Sequence, residues 1–332
     1  MEKLGNKKLD MQKLLAPLAL VILYVAFSII GGKKFFSVDM VKNILESSYY
    51  IGFMAFGVTF IIITGGIDLS LGTVMMCAAL LGAYTFKQLH FPLIISIFVT
   101  LLVGTAFGFL NGNLVARLKL PPFISTLGTM MMSQGIGSII TKVQSQTWPT
   151  ATEPVGGWFK KVFIRCDLFG IKAFPVGALW LVAFFIIASL ILHKTKFGRY
   201  TFAIGSNEEA ARLSGINVDA WKVAVYTLSG FFVGMAGLMY AAAYTTITPG
   251  TGNGQEMNGI TGVVIGGTSM AGGSGTMVGT LIGVFIMSVL KNGLSAVGLQ
   301  APWQTFFTGL VVIGAVLLDI QRTKAANRVK KS

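Results

Sequence analysis

Apolar residues along this chain are gathered into ten runs separated by short polar or glycine-rich links. The runs cover residues 14–30, 49–64, 71–86, 91–116, 123–140, 174–192, 223–244, 259–271, 276–290 and 303–318. Most approach the ~20 residues that an α-helix needs to cross a bilayer. The pattern predicts an all-α polytopic membrane protein of about ten transmembrane helices. Run 259–271 is short and glycine-rich, and run 91–116 is long enough to be tilted. The first run follows Lys3, Lys7, Lys8 and Lys13, as a secretory leader would, but no small-residue cleavage motif follows it, so a retained first helix is expected. Residues 1–332 then read as a single membrane domain with polar segments at 1–13, 141–172, 194–222 and 320–332.

Segment 194–222 is the one long polar stretch that looks built to fold. Ser206 followed by Glu209 makes a capping box, Glu208, Glu209, Ala210, Ala211, Arg212 and Leu213 favour helix, and Gly215 supplies a left-handed stop before Ile216. A helix of two turns is unstable alone in water. It must be held by the membrane domain or by a partner, which makes it a docking element.

Composition supports the membrane reading: 54% of the residues are hydrophobic and only 11% charged, with 41 Gly and 25 Phe among 332. An even number of spans puts both termini on one side. Placing them in the cytoplasm puts 16 Lys and Arg inside and leaves 10 outside, in line with the positive-inside rule. Lys33, Lys34, Lys160 and Lys161 dissent. The net charge of +14 is thereby mostly topology and not a nucleic-acid surface. Cys77 and Cys166 fall in different environments and are not expected to pair, and His90 and His193 sit at span ends without any metal-ligand spacing. No residue set points to catalysis or to a metal.

Asn111-Gly112, followed by Leu114, Leu118, Pro121 and Phe123, is echoed by Asn292-Gly293, followed by Leu294, Leu299, Pro302 and Trp303. Five spans separate the copies, so they face opposite sides, the pattern of an inverted-topology repeat. Gly104 with Gly108, Gly230 with Gly234, and Gly275, Gly279 and Gly283 are spaced for close helix packing. Two glycine-rich interruptions, 65–70 and 266–275, are candidate walls of a pathway. Carboxylates near membrane depth are few: Asp68, Glu256 and Asp319. Asp68 suits both an N-cap for the third helix and a pathway contact. Glu256 suits a pathway or a solvated loop.

These residues together resemble the permease subunits of bacterial sugar ABC importers, the family of the ribose and galactose permeases. The likeness runs through GGIDLSLG (65–72), NGNLVARLKLPPFISTLGTM (111–130), KFGRYTFAIGSNEEAARLSGINV (196–218) and VIGGTSMAGGSGTMVGTLIG (264–283). It implies a fold like that of the vitamin B12 importer, with inverted halves. It also implies that Asn207, Glu208, Glu209, Ala210, Ala211 and Gly215 belong to the helix that couples to a cytoplasmic ATPase. Expected partners are that ABC ATPase, which would bind ATP and Mg, a second permease copy or paralogue, an extracytoplasmic sugar-binding protein, and membrane lipid. No nucleic acid is expected, and the place is the bacterial inner membrane. The chain has no GxxxxGK[ST] loop, so the ATP site is expected in another subunit and no cofactor in this one. Where the family commonly has Glu-Leu-Asp-Ala-Ile, this chain has Glu256-Met257-Asn258-Gly259-Ile260, an acid replaced by an amide. Asp68, Glu256 and Asn258 are the candidate translocation-path residues.

A path almost free of fixed charge suits a neutral, hydroxylated solute. Trp148, Pro149, Trp158 and Phe159 in segment 141–172 suit either docking of a binding protein or, the simpler reading, anchoring at the membrane interface. Two rivals remain at this level: a secondary transporter with Asp68 and Glu256 as coupling carboxylates, and a channel or non-transporting subunit.

Overall fold

The computed structural model describes residues 11–168 and 171–329; the remaining parts of segments 1–13, 141–172 and 320–332 lie outside the described residues. Among the described residues, eight helices are long and apolar enough to cross a membrane: α1 (Met11–Gly31), α2 (Val38–Ile63), α4 (Leu93–Ala116), α5 (Pro122–Ile140), α7 (Val176–Lys194), α10 (Val218–Tyr244), α12 (Met277–Ala296) and α13 (Ala301–Val329). Two apolar runs form shorter helices, α3 (Leu71–Lys87) and α11 (Gln255–Ile265). Three more short helices, α6 (Trp158–Phe163), α8 (Lys196–Ser206) and α9 (Glu208–Leu213), lie in the polar segments. The ten runs thus become ten elements, but run 259–271 is helical only in its first half. Gly267, Gly272 and Gly273 take φ of +94°, +85° and +71°, outside the helical region, and the chain continues irregularly to Thr276.

Side chains define the helix starts. Ser37 Oγ, Asn217 Oδ1 and Thr276 Oγ1 accept the N–H groups of Met40, Ala220 and Gly279 at 3.1 Å each. From Ser47 to Ile63 α2 is buried on all sides and, with α10, forms the centre of the bundle. Several hydroxyls inside the bundle are satisfied by bonding back to the carbonyl one turn earlier, as Thr59 does to Ala55 (2.6 Å), Ser48 to Ile44 (2.7 Å) and Thr100 to Ser96 (2.9 Å). α4 and α10 touch through glycine: a Cβ on Gly104 would lie 2.6 Å from the Gly230 carbonyl oxygen, and one on Gly108 2.8 Å from Gly230 Cα. Gly262 and Gly283 bring α11 and α12 equally close.

The packing has an internal exchange symmetry. Replacing α2, α3, α4 and α5 by α10, α11, α12 and α13 leaves the order of contacts unchanged: α4 on α10 becomes α12 on α2, α3 on α4 becomes α11 on α12, and α3 on α5 becomes α11 on α13. Paired helices stand five crossings apart, so the halves are inverted. Asn111 and Asn292, the sequence markers of the repeat, fall near the ends of α4 and α12. The leading helices break the symmetry, since α1 packs on α12 whereas α7 packs on α2 and α8.

Contacts between links confirm the alternation of sides. On one side, Gly273 N–H donates to the Ile63 carbonyl (2.8 Å) and Lys119 pairs with Asp219 (2.6 Å). On the other, Lys87 pairs with Glu153 (3.0 Å), Arg165 with Glu46, and strand β1 (Gln146–Thr147) with β4 (Thr246–Ile247). A second ribbon, β2 (Cys166–Leu168) with β3 (Ile171–Phe174), lies in the same long link. Interface anchoring does not hold for Trp148 and Phe159. Both are fully buried and stacked at 4.6 Å, and Trp148 Nε1–H donates to the Ala79 carbonyl (2.9 Å). The segment folds back over α3 instead of lying along the membrane surface.

Candidate coupling surface and translocation path

α9 begins one residue later than the capping box predicts. α8 remains helical through Ser206, and the extended residue required before a helix is Asn207 (φ −164°, ψ 104°). Its Oδ1 accepts the Ala210 N–H at 2.9 Å. The end is as expected: Gly215 has φ +83°, its N–H donates to the Arg212 carbonyl (3.0 Å), and Ile216 N–H to that of Ala211 (3.1 Å), a Schellman closure. Ala211 and Ile216 pack with Ile204, Val218 and Trp221. The opposite face carries Glu208, Glu209, Ala210 and Gly215, all exposed, together with Leu213. Leu213 is 84% exposed, the highest value of any large apolar side chain described. Reading the sequence for helix formers counted Leu213 but missed that Ala211, two positions earlier, turns inward and leaves it bare.

Ion pairs tie α9 to its neighbours. Lys222 Nζ meets Glu208 at 2.5 Å, Arg212 meets Glu208 at 3.4 Å and Asp219 at 3.1 Å, and Asp219 is shared with Lys119 of the link between α4 and α5. Partial burial opposes ionisation of Glu208, but the Lys222 bond and charge, with those of Arg212, outweigh it and hold the carboxyl below its usual range. Asp219 in turn pushes the Arg212 guanidinium up. Behind α9, Gly205 of α8 sits on the Ile63 carbonyl and 2.6 Å, as a Cβ would measure it, from Gly273 N. Asp319 of α13 holds the same irregular segment, accepting Met270 N–H (3.0 Å) and Ser269 Oγ–H (3.3 Å). The α8–α9 pair, the end of α2 and the segment 266–276 are therefore one contiguous unit.

Of the path candidates, Asp68 is buried in a side-chain network. Its Oδ1 accepts Ser70 N–H (2.8 Å) and Oγ–H (2.6 Å), its Oδ2 accepts Asn111 Nδ2–H (3.3 Å), and Asn111 Oδ1 accepts from Thr129 (2.7 Å). It is not the N-cap of α3, a position held by Ser70 without a side-chain cap, but by holding Ser70 it ties the segment before α3 to α4 and α5. Glu256 is not a solvated loop residue. It is 5% exposed in the first turn of α11, where Oε1 accepts Gly254 N–H (3.0 Å) and Oε2 is buried without a partner among the described residues. Asn258, also buried, donates to Gln255 Oε1 (3.3 Å). The structure brings Asp68 and Glu256 to the same place: Gly72, in the first turn of α3, lies against Gly252 and Glu256, and a Cβ there would stand 2.6 Å from Glu256 Oε2. The amino ends of the two short helices meet inside the bundle.

Residues 40–316 match the family described as branched-chain amino acid transport system, permease component. The chain belongs to this permease family. Among its relatives, the permease is 38% identical to the ribose import permease protein RbsC of Bacillus subtilis over 94% of each chain. It is 35% identical to the fructose import permease protein FrcC of Rhizobium meliloti, covering 91% of this chain and 83% of that one. It is 31% identical to the xylose transport system permease protein XylH of Escherichia coli, over 95% and 93%. No solved structure matches it. The import permeases among its relatives do not favour the ion-coupled alternative.

Proposed function

We propose that the permease is the membrane-spanning subunit of a sugar importer driven by an ABC ATPase. A separate ATPase carries ATP and Mg, a soluble binding protein delivers the sugar to the side of the 88–92, 141–175 and 245–254 links, and a second permease copy or paralogue completes the path. α9 and both termini face the cytoplasm in this reading. The Lys and Arg excess on the α9 side supports it. The observation that carries it is α9 itself: a helix of six residues with both ends closed, braced by two ion pairs to α10, that leaves Leu213 bare to solvent. A short helix closed at both ends and tied by ion pairs to α10 is held firmly enough to pass a push from a docked partner into the bundle. ATP-driven movement of the ATPase would act on α9 and pass through Gly205 to segment 266–276 and α2.

Copurification and coupled ATP turnover test this. Leu213→Glu removes no internal contact, so the permease is expected to fold with unchanged stability yet lose the ATPase or its stimulation by loaded binding protein at least tenfold. Full stimulation in Leu213→Glu would show that α9 is not the docking element.

A further inference from the structure

Next to the junction of α3 and α11, on the side of link 245–254, the permease has an open pocket of about 420 Å³ with Thr248, Thr251 and Asn253 exposed at its rim. That lies within the range of roughly 300–1,000 Å³ typical of small-molecule sites. Its wall includes Tyr240 from the end of α10, Thr248, Thr251 and Asn253 from the link, Gln255 at the start of α11, and Met76 of α3. Among the described residues, no charged side chain lines it. The amides and hydroxyls each offer both donor and acceptor capacity, as sugar hydroxyls do. An ion there would lack a counter-charge in the wall.

Tyr240 is fixed in orientation. Its ring lies 4.5 Å from that of Tyr244 and edge-on to Tyr50 at 5.3 Å, while Lys291 donates to Tyr50 Oη at 2.5 Å and stands 5.1 Å from that ring. The lysine is thus engaged by tyrosines behind the wall. A rigid aromatic face beside two amides and several hydroxyls matches the mixed apolar and hydroxylated surface of a monosaccharide.

We infer that this pocket is a holding site for a neutral, polyhydroxylated solute at the mouth of the permease, with Tyr240 as the stacking face and Asn253 and Gln255 as hydrogen-bonding residues. The inference rests on the sugar-importer reading and adds to it a place where the permease itself contacts the solute. The test uses the assembled importer in proteoliposomes, with Thr251→Cys in a Cys166→Ser background and a membrane-impermeant maleimide. Ribose, xylose or fructose at millimolar concentration is expected to slow labelling severalfold, and Tyr240→Leu or Asn253→Ala to remove the protection. Asn253→Ala is also expected to lower uptake about tenfold while ATP turnover still responds to loaded binding protein. If a sugar is taken up but gives no protection, the holding site is overturned and the importer reading stands. If none of the three is taken up and none protects, the sugar reading fails and the inference falls with it.

Discussion

Asp68 shows how a buried carboxylate can act as a fixed joint. One oxygen accepts both Ser70 donors and the other accepts Asn111, so the start of α3, the end of α4 and, through Thr129, α5 are held by one side chain. Removing it strands buried donors, each costing on the order of 1–3 kcal/mol. Asp68→Ala is therefore expected to lower the unfolding temperature of the detergent-solubilised permease clearly, and Asp68→Asn, which keeps an acceptor toward Ser70, to lower it much less. Equal midpoints for the two variants would remove the network as the explanation. Gly72 is constrained differently. A Cβ would press on the Gly252 carbonyl and on Glu256, and because backbone is on one side, the strain cannot be relieved by a rotamer change. Gly72→Ala is expected to disturb the α3–α11 junction and abolish uptake even where the protein still assembles.

At the scale of elements, α9 depends on its two ends. Asn207→Ala is expected to cost about 1 kcal/mol of local stability, roughly fivefold in the opening of the helix, visible as faster amide exchange at residues 210–213. Gly215→Ala forces a side chain into the left-handed region at a cost of about 1–2 kcal/mol, and the same amides should report it. The ion pairs add a pH dependence. The carboxyl of Glu208 is depressed in the folded state, so its contribution is complete above the unfolded value and is lost as pH falls through the lower folded value. ATPase association is accordingly expected to be flat from pH 8 to 6 and to weaken only in the acid range, with Lys222→Met shifting that loss to higher pH. Association that falls between pH 8 and 6 would contradict this. α9 also marks what the sequence reveals. Helix formers, the Gly215 stop and the ten apolar runs are local signals, and each is legible. Whether Ser206 or Asn207 caps α9 depends on how far α8 persists, and the burial of Trp148 depends on the Ala79 carbonyl in a distant helix. Neither is written in the neighbouring residues. The same holds for the meeting of Glu256 with Gly72, which requires both short helices to be placed first.

For the molecule as a whole, the inverted halves fix which links share a side, and charge assigns the sides. Link contacts alone group 64–70, 117–121, 195–217 and 266–276 against 88–92, 141–175 and 245–254. Single cysteines at exposed positions separate these two claims: Leu118→Cys and Glu209→Cys belong to the first group, Leu89→Cys and Val155→Cys to the second. In intact cells, in a Cys166→Ser background, an impermeant maleimide is expected to label only the second pair, and after permeabilisation all four. Labelling of the first pair alone would reverse the membrane orientation, leave the inverted architecture intact and detach α9 from any cytoplasmic ATPase. Labelling that mixes the pairs, such as Leu118 with Val155, would break the alternation itself. The exchange symmetry of α2–α5 with α10–α13 would then have to be wrong, because paired helices five crossings apart cannot run the same way.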